Sequence, residues 1–327
     1  MPVIDVTKSQ LNLAAVLLNG QSFRWLEKNG TFYGNASSRL WKIARVNEKQ
    51  IEYSVLASKK ESTSTFDEDA ALKAYFNLPV DLEELYSTWA ASDPHMKKIL
   101  AESEQLKGIR ILGQEPLETL FAFICSANNN IKRISRMVNR MCTLYGSKLM
   151  LTENVEPEDR VLCEEFEHLL YAFPTAEQLQ TNVDEMEKQL REEGFGYRAQ
   201  YIAESVRLLA NNKICLDELR YPNEPRESLL QFTGVGPKVA DCVSLMGLGH
   251  HHVVPIDTHV FKCTVKNYRQ DLEGKSLTAA LHSTIGNFYL EKFGAHAGWA
   301  QAVIFNAQLL SKETKKPKTT TRKRKSR

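Results

Sequence analysis

The hydrophobic period of this chain changes once, and that change fixes what it can fold into. Between Gln21 and Leu56 apolar and polar residues alternate, through QSFRWLEK, GTFYGNAS, RLWKIARV and QIEYSVLA. A period of two belongs to strands with one half-buried face. Turn signals at Asn29-Gly30 and Asn47-Glu48 separate the segments, which predicts an antiparallel sheet that is polar on one face. From Pro116 onward nearly every segment is helix-periodic instead, from PLETLFAFICSA and IKRISRMVNRMCTLYG through YRAQYIAESVRLLANN to AGWAQAVIFNAQLL. Glycines and prolines fall between these segments, where helix ends and helix starts favour them. The pattern predicts an α+β protein. An N-terminal antiparallel sheet domain is expected over 1–95, a two-lobed helical region over 96–311, and a basic tail over 312–327.

Charge and cysteine usage narrow the function classes. The last sixteen residues, KETKKPKTTTRKRKSR, hold nine Lys or Arg against one Glu, a net of +8. The total of +2 less this +8 leaves −6 for the rest, so a nucleic-acid site on the folded body has to be a local patch. KKPK and RKRK in the tail read as nuclear-import or polyanion-binding signals, and a nuclear protein is expected. No apolar run approaches the roughly 20 residues of a membrane span, and no basic segment precedes the apolar stretch at the N-terminus as a secretory signal requires. The six cysteines include no C-x-x-C pair. That spacing argues against a zinc ribbon, an iron–sulfur cluster and a disulfide framework; buried thiols are expected, with no metal and no cofactor.

One stretch resists a purely structural reading: FTGVGPKVADC, Phe232–Cys242. As a Walker A loop it has one residue rather than four between its glycines and lacks Ser or Thr after Lys238. As a dinucleotide fingerprint it lacks the third glycine, having Val239 there, and PRESLLQF ahead of it is helical by pattern rather than a strand. What remains is helix, tight turn, helix, over about 225–247. Gly234 and Gly236 give the turn backbone freedom, and Pro237 suits the first helical position. Bare amides at such a helix start can seat a backbone phosphate, although a plain helical hairpin would look the same.

Lys238 then lies in the first turn of the second helix, where the dipole disfavours an ammonium by ~0.3–1 kcal/mol. For a structural lysine this is a small defect; for a nucleophile it helps, because an amine attacks only when neutral. Cys242 projects four residues later from the same face, and Asp241 is the nearest charge partner in sequence. Downstream, VVPIDTHVF places Asp257 just before another helix. It reads either as an N-cap or as a carboxylate facing Lys238 across a cleft. The run His250–His252 fills a loop and is assigned no role.

LLQFTGVGPKVADCVSLMGL followed by VVPIDTH resembles the helix-hairpin-helix DNA glycosylases with a Gly/Pro-rich loop and an aspartate. NGQSFRW, FICSANNNIKRI, GFGYRAQYI and GWAQAVIF extend the resemblance, from about Gly20 to Leu310, to the eukaryotic 8-oxoguanine DNA glycosylase/AP lyase family. The resemblance implies that Lys238 attacks C1′ of the damaged nucleotide and that Asp257 is the essential aspartate. It implies a flipped base held between Cys242 and Phe305, read by Gln301 and by the carbonyl of Gly20, which accepts from the N7–H that guanine lacks. Asn128 would fill the gap in the duplex. Arg133 and Arg198 would hydrogen-bond the orphaned cytosine, with Tyr197 as a wedge and His259 near the DNA backbone. Read without the family, Asn128–Asn130 would be a helix-linking loop with N-caps, and the two arginines surface residues. The implied partner is duplex DNA carrying oxidised guanine opposite cytosine, bound by a monomer. Pro237 and Thr258 depart from the family's usual threonine and valine. A monofunctional glycosylase for alkylated bases and a non-catalytic DNA-binding protein are the competing readings. Lys238 speaks against the first, and the set Lys238, Asp257, Gln301 and Phe305 against the second.

Overall fold

The computed structural model describes residues 1–59, 66–181, 183–211 and 214–313; the basic tail lies outside them from residue 314 onward. Six strands form one antiparallel sheet: β1 (Val3–Asp5), β2 (Trp25–Lys28), β3 (Thr31–Ala36), β4 (Arg39–Asn47), β5 (Gln50–Ser58) and β6 (Met150–Leu151). The order is β1-β5-β4-β3-β2, with β6 also pairing β5. The β2–β3 hairpin turns at Asn29 and Gly30, whose φ values of 53° and 79° are those of a tight two-residue turn matched to strand twist.

Two expectations for the sheet need correction. The strand expected over 21–28 begins only at Trp25, because Gln21–Arg24 is spent on side-chain pairing. Gln21 donates from Nε2 to the Arg110 carbonyl (2.8 Å) and accepts at Oε1 from the Leu112 amide (3.1 Å). Arg24, 1% exposed, donates to the Tyr171 carbonyl. Nor is one face left to solvent. One side packs Trp25, Phe32, Trp41, Ile43 and Ile51 on Leu13, Leu17, Leu72 and Phe76. The other side packs Tyr33, Leu40 and Leu56 on Leu149, Leu162 and Leu169, residues that return to the sheet from the helical region. The polar residues on that side survive burial because each finds a partner. Lys42 pairs with Asp159 at 2.8 Å, and Asn35 donates to the Leu169 carbonyl.

The helical region builds two apolar cores. The first gathers helices Pro116–Ser126, Ile131–Tyr145 and Arg198–Ala210 around Phe121, Ile134 and Ile202. The second gathers residues from Leu82 to Ile111 with helices Thr258–Asn267, Ala279–Phe293 and Ala297–Glu313 around Trp89, Tyr289 and Trp299. Helix Pro237–Gly247, the lysine helix, joins them: Val239, Ala240, Cys242 and Val243 belong to the first core and Leu245 to the second. Among the described residues no helix is long and apolar enough to cross a membrane.

Candidate active site

The hairpin forms where it is expected, with special backbone freedom used at Gly234 and not at Gly236, whose φ is −93°. A one-turn helix, Arg226–Leu229, is followed by turns to Val235, and the lysine helix starts at Pro237. Gly234 has φ +81° and presses against Tyr201, where a Cβ would lie 2.3 Å from Cδ2 of the ring. Gly236 is the N-cap, and no side chain caps the helix. Its first amides are therefore open to an anion, and the dipole's positive end lies bare beside Lys238.

Lys238 is half-buried in the first turn of its helix. Its Nζ lies 5.0 Å from the centre of the Phe123 ring, which stabilises a cation there, and its charge acts on the Cys242 thiol one turn further along the helix. Burial pushes that thiol up and the Lys238 charge draws it back, while Asp241 and Asp257 push it further up. Lys238 and Asp257 are thus within electrostatic reach of one sulfur, although they come from helices on different cores.

Asp257 takes the first of its two readings, that of a helix cap. It is the N-cap of helix Thr258–Asn267, and its Oδ1 accepts from the His259 and Val260 amides, each at 2.8 Å. Oδ2 takes no hydrogen bond from any described residue. His259 is exposed one residue into that helix.

Gln301, 7% exposed, and Phe305, half-buried one turn later, share a face of helix Ala297–Glu313 and pack on the second core. Asn19 donates to Asn306 at 2.9 Å, which ties the Gly20 loop to this helix. Gly20 itself has φ +85° and lies over Ile131, 3.6 Å from where its Cβ would be. Asn19 and Asn306, the neighbours of Gly20 and Phe305, thus meet although they stand 287 positions apart in sequence.

The residues expected to fill the duplex gap converge on one corner after helix Pro116–Ser126. Asn128 is exposed and left-handed, with φ 47°, while Asn130 is the N-cap of the next helix and accepts from Arg133. Tyr197 donates from its hydroxyl to the Ala127 carbonyl at 3.2 Å. Arg198 donates to the Ala127 and Asn128 carbonyls and lies 4.5 Å from the Tyr197 ring. Its reading as a surface residue is overturned: it is 3% exposed, because the carbonyls left open at a helix end draw the guanidinium inward. Its Nε has no partner among the described residues. Arg133 is exposed and donates to the Gly194 carbonyl at 3.0 Å.

A second correction concerns Asp241. It is no partner of Lys238: it is 3% exposed and pairs with Arg226 at 3.1 Å and His282 at 3.2 Å. Periodicity did not single out Phe123, Tyr201, Arg226 or His282. The spacing of Tyr197 and Tyr201 on one helical face was a usable signal for Tyr201 alone, and the rings meet at 5.4 Å. Five of the six cysteines are buried and Cys215 is exposed. Among the described residues no group of three or more His, Cys, Asp or Glu is placed to hold a metal ion. His250 and His251 are used in packing, the first against the Leu219 carbonyl and the second against Trp299. A cleft of about 760 Å³, bordered by Arg136, Arg140, His168 and Gly194, contains none of the candidate residues.

Comparison with known proteins places this geometry. Residues 3–120 match the family described as 8-oxoguanine DNA glycosylase, N-terminal domain, and residues 121–278 match the HhH-GPD superfamily base excision DNA repair protein. The chain is 35% identical to an N-glycosylase/DNA lyase of Saccharomyces cerevisiae, over 94% of this chain and 85% of that one. It is 33% identical to the N-glycosylase/DNA lyase OGG1 of Arabidopsis thaliana, over 95% and 81% respectively. Among solved structures it resembles the Clostridium acetobutylicum 8-oxoguanine glycosylase/lyase in complex with double-stranded DNA containing cytosine opposite 8-oxoG. That match has a TM-score of 0.72 and 28% identity, over 92% of this chain and 93% of that one.

Proposed function

The chain belongs to the 8-oxoguanine DNA glycosylase family of base-excision repair proteins, and we propose from that premise that it removes 8-oxoguanine paired with cytosine and then nicks the strand. The observation that carries the chemistry is the setting of Lys238. It is an amine at an uncapped helix start, against Cys242, with Asp257 bearing on the same thiol.

The damaged nucleotide first leaves the duplex, at a cost of about a few kcal/mol for unstacking. Asn128 takes its place, and Tyr197, Arg133 and Arg198 engage the orphaned cytosine and its neighbour. Gly234, Gly236 and the open amides of the lysine helix hold a backbone phosphate, with His259 beside it. The base lies between Cys242 and Phe305, with Gln301 on its Watson–Crick edge and the Gly20 carbonyl accepting its N7–H.

Asp257 Oδ2 takes a proton from the Lys238 ammonium, which leaves the amine neutral and able to attack. The free Nζ forms a bond to C1′ as the C1′–N9 bond breaks, and the electron pair leaves with the base, which takes up a proton. Opening of the sugar gives an imine at C1′. Loss of a C2′ proton then expels the 3′ phosphate by breaking the C3′–O3′ bond. The basic tail and the family's repair role fit a nuclear enzyme.

Borohydride reduction during turnover tests the lysine. A duplex with one 8-oxoguanine opposite cytosine is expected to give a covalent protein–DNA adduct that disappears with Lys238→Gln. Base release by the wild-type protein without any adduct would overturn this mechanism in favour of direct hydrolysis.

A further inference from the structure

One flank of the lysine helix carries a buried charged network that the reaction above does not use. Asp241 and His282 are 3% and 5% exposed. Arg226 Nη1 lies 3.1 Å from Asp241 Oδ1, and its Nη2 lies 3.3 Å from His282 Nδ1. His282 Nε2 lies 3.2 Å from Asp241 Oδ2, a close contact without hydrogen-bond geometry. Three segments meet here: the short first helix of the hairpin through Arg226, the lysine helix through Asp241, and helix Ala279–Phe293 through His282.

The protonation pattern follows from the donors. Arginine can only donate, so Nδ1 of His282 accepts and the proton of the neutral ring sits on Nε2, towards the carboxylate. Burial and the Arg226 charge hold this imidazole down at about 4, so it stays neutral. The pair that matters is therefore Arg226 and Asp241. Burial pushes the Asp241 carboxyl up to about 7, and Arg226 draws it back. The other charged and titratable groups facing it are Glu224 and His252, which border a cavity of about 270 Å³ over the network, and Lys238 one turn earlier on the same helix.

Buried ion pairs rarely add stability over apolar packing of similar volume, so stability alone does not account for this one. A buried carboxylate bonded by Arg226, with His282 packed against its other oxygen and itself bonded to Arg226, does restrict the rotation of its helix. Asp241 is three residues from Lys238, about 60° away around the axis, so a small rotation at one is felt at the other. Resting on the reading of Lys238 as the nucleophile, we propose that Asp241 is a positioning residue. With Arg226 and His282 it clamps the lysine helix to the hairpin and to helix Ala279–Phe293, so that Nζ is aimed at the sugar.

The test is the single-turnover rate of borohydride-trappable adduct formation across pH, alongside affinity for the same lesion duplex. Asp241→Asn keeps the shape and removes the charge. At about pH 8.5 its trapping rate is expected to fall roughly 10- to 100-fold, the size of effect a misplacement near 1 Å produces. Affinity is expected to stay within about two-fold, and the fall of rate expected of the wild type below about pH 7 should be absent. Arg226→Gln, at a side chain 41% exposed, removes the cation that favours ionised Asp241, so the acid limb should move to higher pH. If Asp241→Asn does not fold, Arg226→Gln decides alone. A shifted limb supports the clamp and an unmoved one overturns it. Adduct formation by wild type, with both variants unchanged in rate and profile, sinks the clamp and leaves Lys238 standing. Absence of adduct from wild type sinks both.

Discussion

On the proposed mechanism Asp257 has two jobs on two different oxygens, and two substitutions separate them. Oδ1 caps helix Thr258–Asn267 through two amides at 2.8 Å, while Oδ2 is left for chemistry. Asparagine is as good an N-cap as aspartate, whereas alanine caps nothing and costs about 0.5–2 kcal/mol. Losing the negative charge at a helix start costs a further ~0.3–1 kcal/mol in either variant. Asp257→Ala should therefore be about 1 kcal/mol less stable than Asp257→Asn, which in a domain of 150–250 residues lowers Tm by about 2–4 °C. Neither variant has a carboxylate to accept the Lys238 proton, so both should lose a factor of about 10²–10⁴ in excision rate, the usual worth of a general base. Thermal unfolding and single-turnover excision on one lesion duplex, measured on the same preparations, read both quantities. An active Asp257→Asn would refute the chemical role of Oδ2. Equal melting of the Asn and Ala variants would refute the capping role of Oδ1.

Gly234→Ala is expected to weaken lesion-duplex binding and lower Tm together. Its φ of +81° costs an L-residue about 1–2 kcal/mol, and the new methyl would meet the Tyr201 ring at 2.3 Å; unchanged binding and melting would show that the hairpin absorbs the strain. Glu118 governs a pH effect on stability. Burial pushes its carboxyl up to about 7, with Arg24 drawing it back. Its contribution is therefore fully present below its ordinary value near 4.5 and is lost as pH rises through about 7. Glu118→Gln should gain stability relative to wild type across that window, by at most on the order of 3 kcal/mol, and hold level above it. Urea unfolding at about pH 5 and pH 8 checks this, and a difference that does not change with pH would refute it.

How much was legible in the sequence depended on whether a residue's partner was local. The Asn29-Gly30 turn, the helix start at Pro237 and the cap at Asp257 are set by neighbours within a few positions, and all three stand where the sequence puts them. The failures are polar residues whose partners are remote. Gln21 answers to the Arg110–Leu112 segment, Arg198 to the carbonyls of Ala127 and Asn128, and Asp241 to Arg226 and His282. Periodicity reports which face of an element is apolar, and it says nothing about which distant group will satisfy a buried charge. Lys238 was conspicuous because the helix dipole makes it locally unfavourable. Phe123, the ring its ammonium rests on, was invisible inside a uniformly apolar helix.

The distribution of the proposed site over the fold bears on how a normal guanine escapes. Gly20 comes from the sheet domain, Cys242 from the lysine helix of the first core, and Gln301 and Phe305 from the second. On the proposed reading one hydrogen bond distinguishes the lesion, N7–H to the Gly20 carbonyl, and it would be worth about 0.5–1.5 kcal/mol, roughly ten-fold at most. That is too little by itself against a large excess of undamaged guanine. The remaining selectivity has to arise where the three units meet. The Gly20 loop is tied to the Phe305 helix through Asn19 and Asn306, so a base that fails to seat at Gly20 disturbs the wall that Phe305 provides. C1′ then stands off from Lys238, and misplacement near 1 Å is worth about a hundred-fold in rate. A small difference in binding becomes a larger difference in chemistry because the reading groups and the attacking amine belong to separate units that only a correctly seated base aligns.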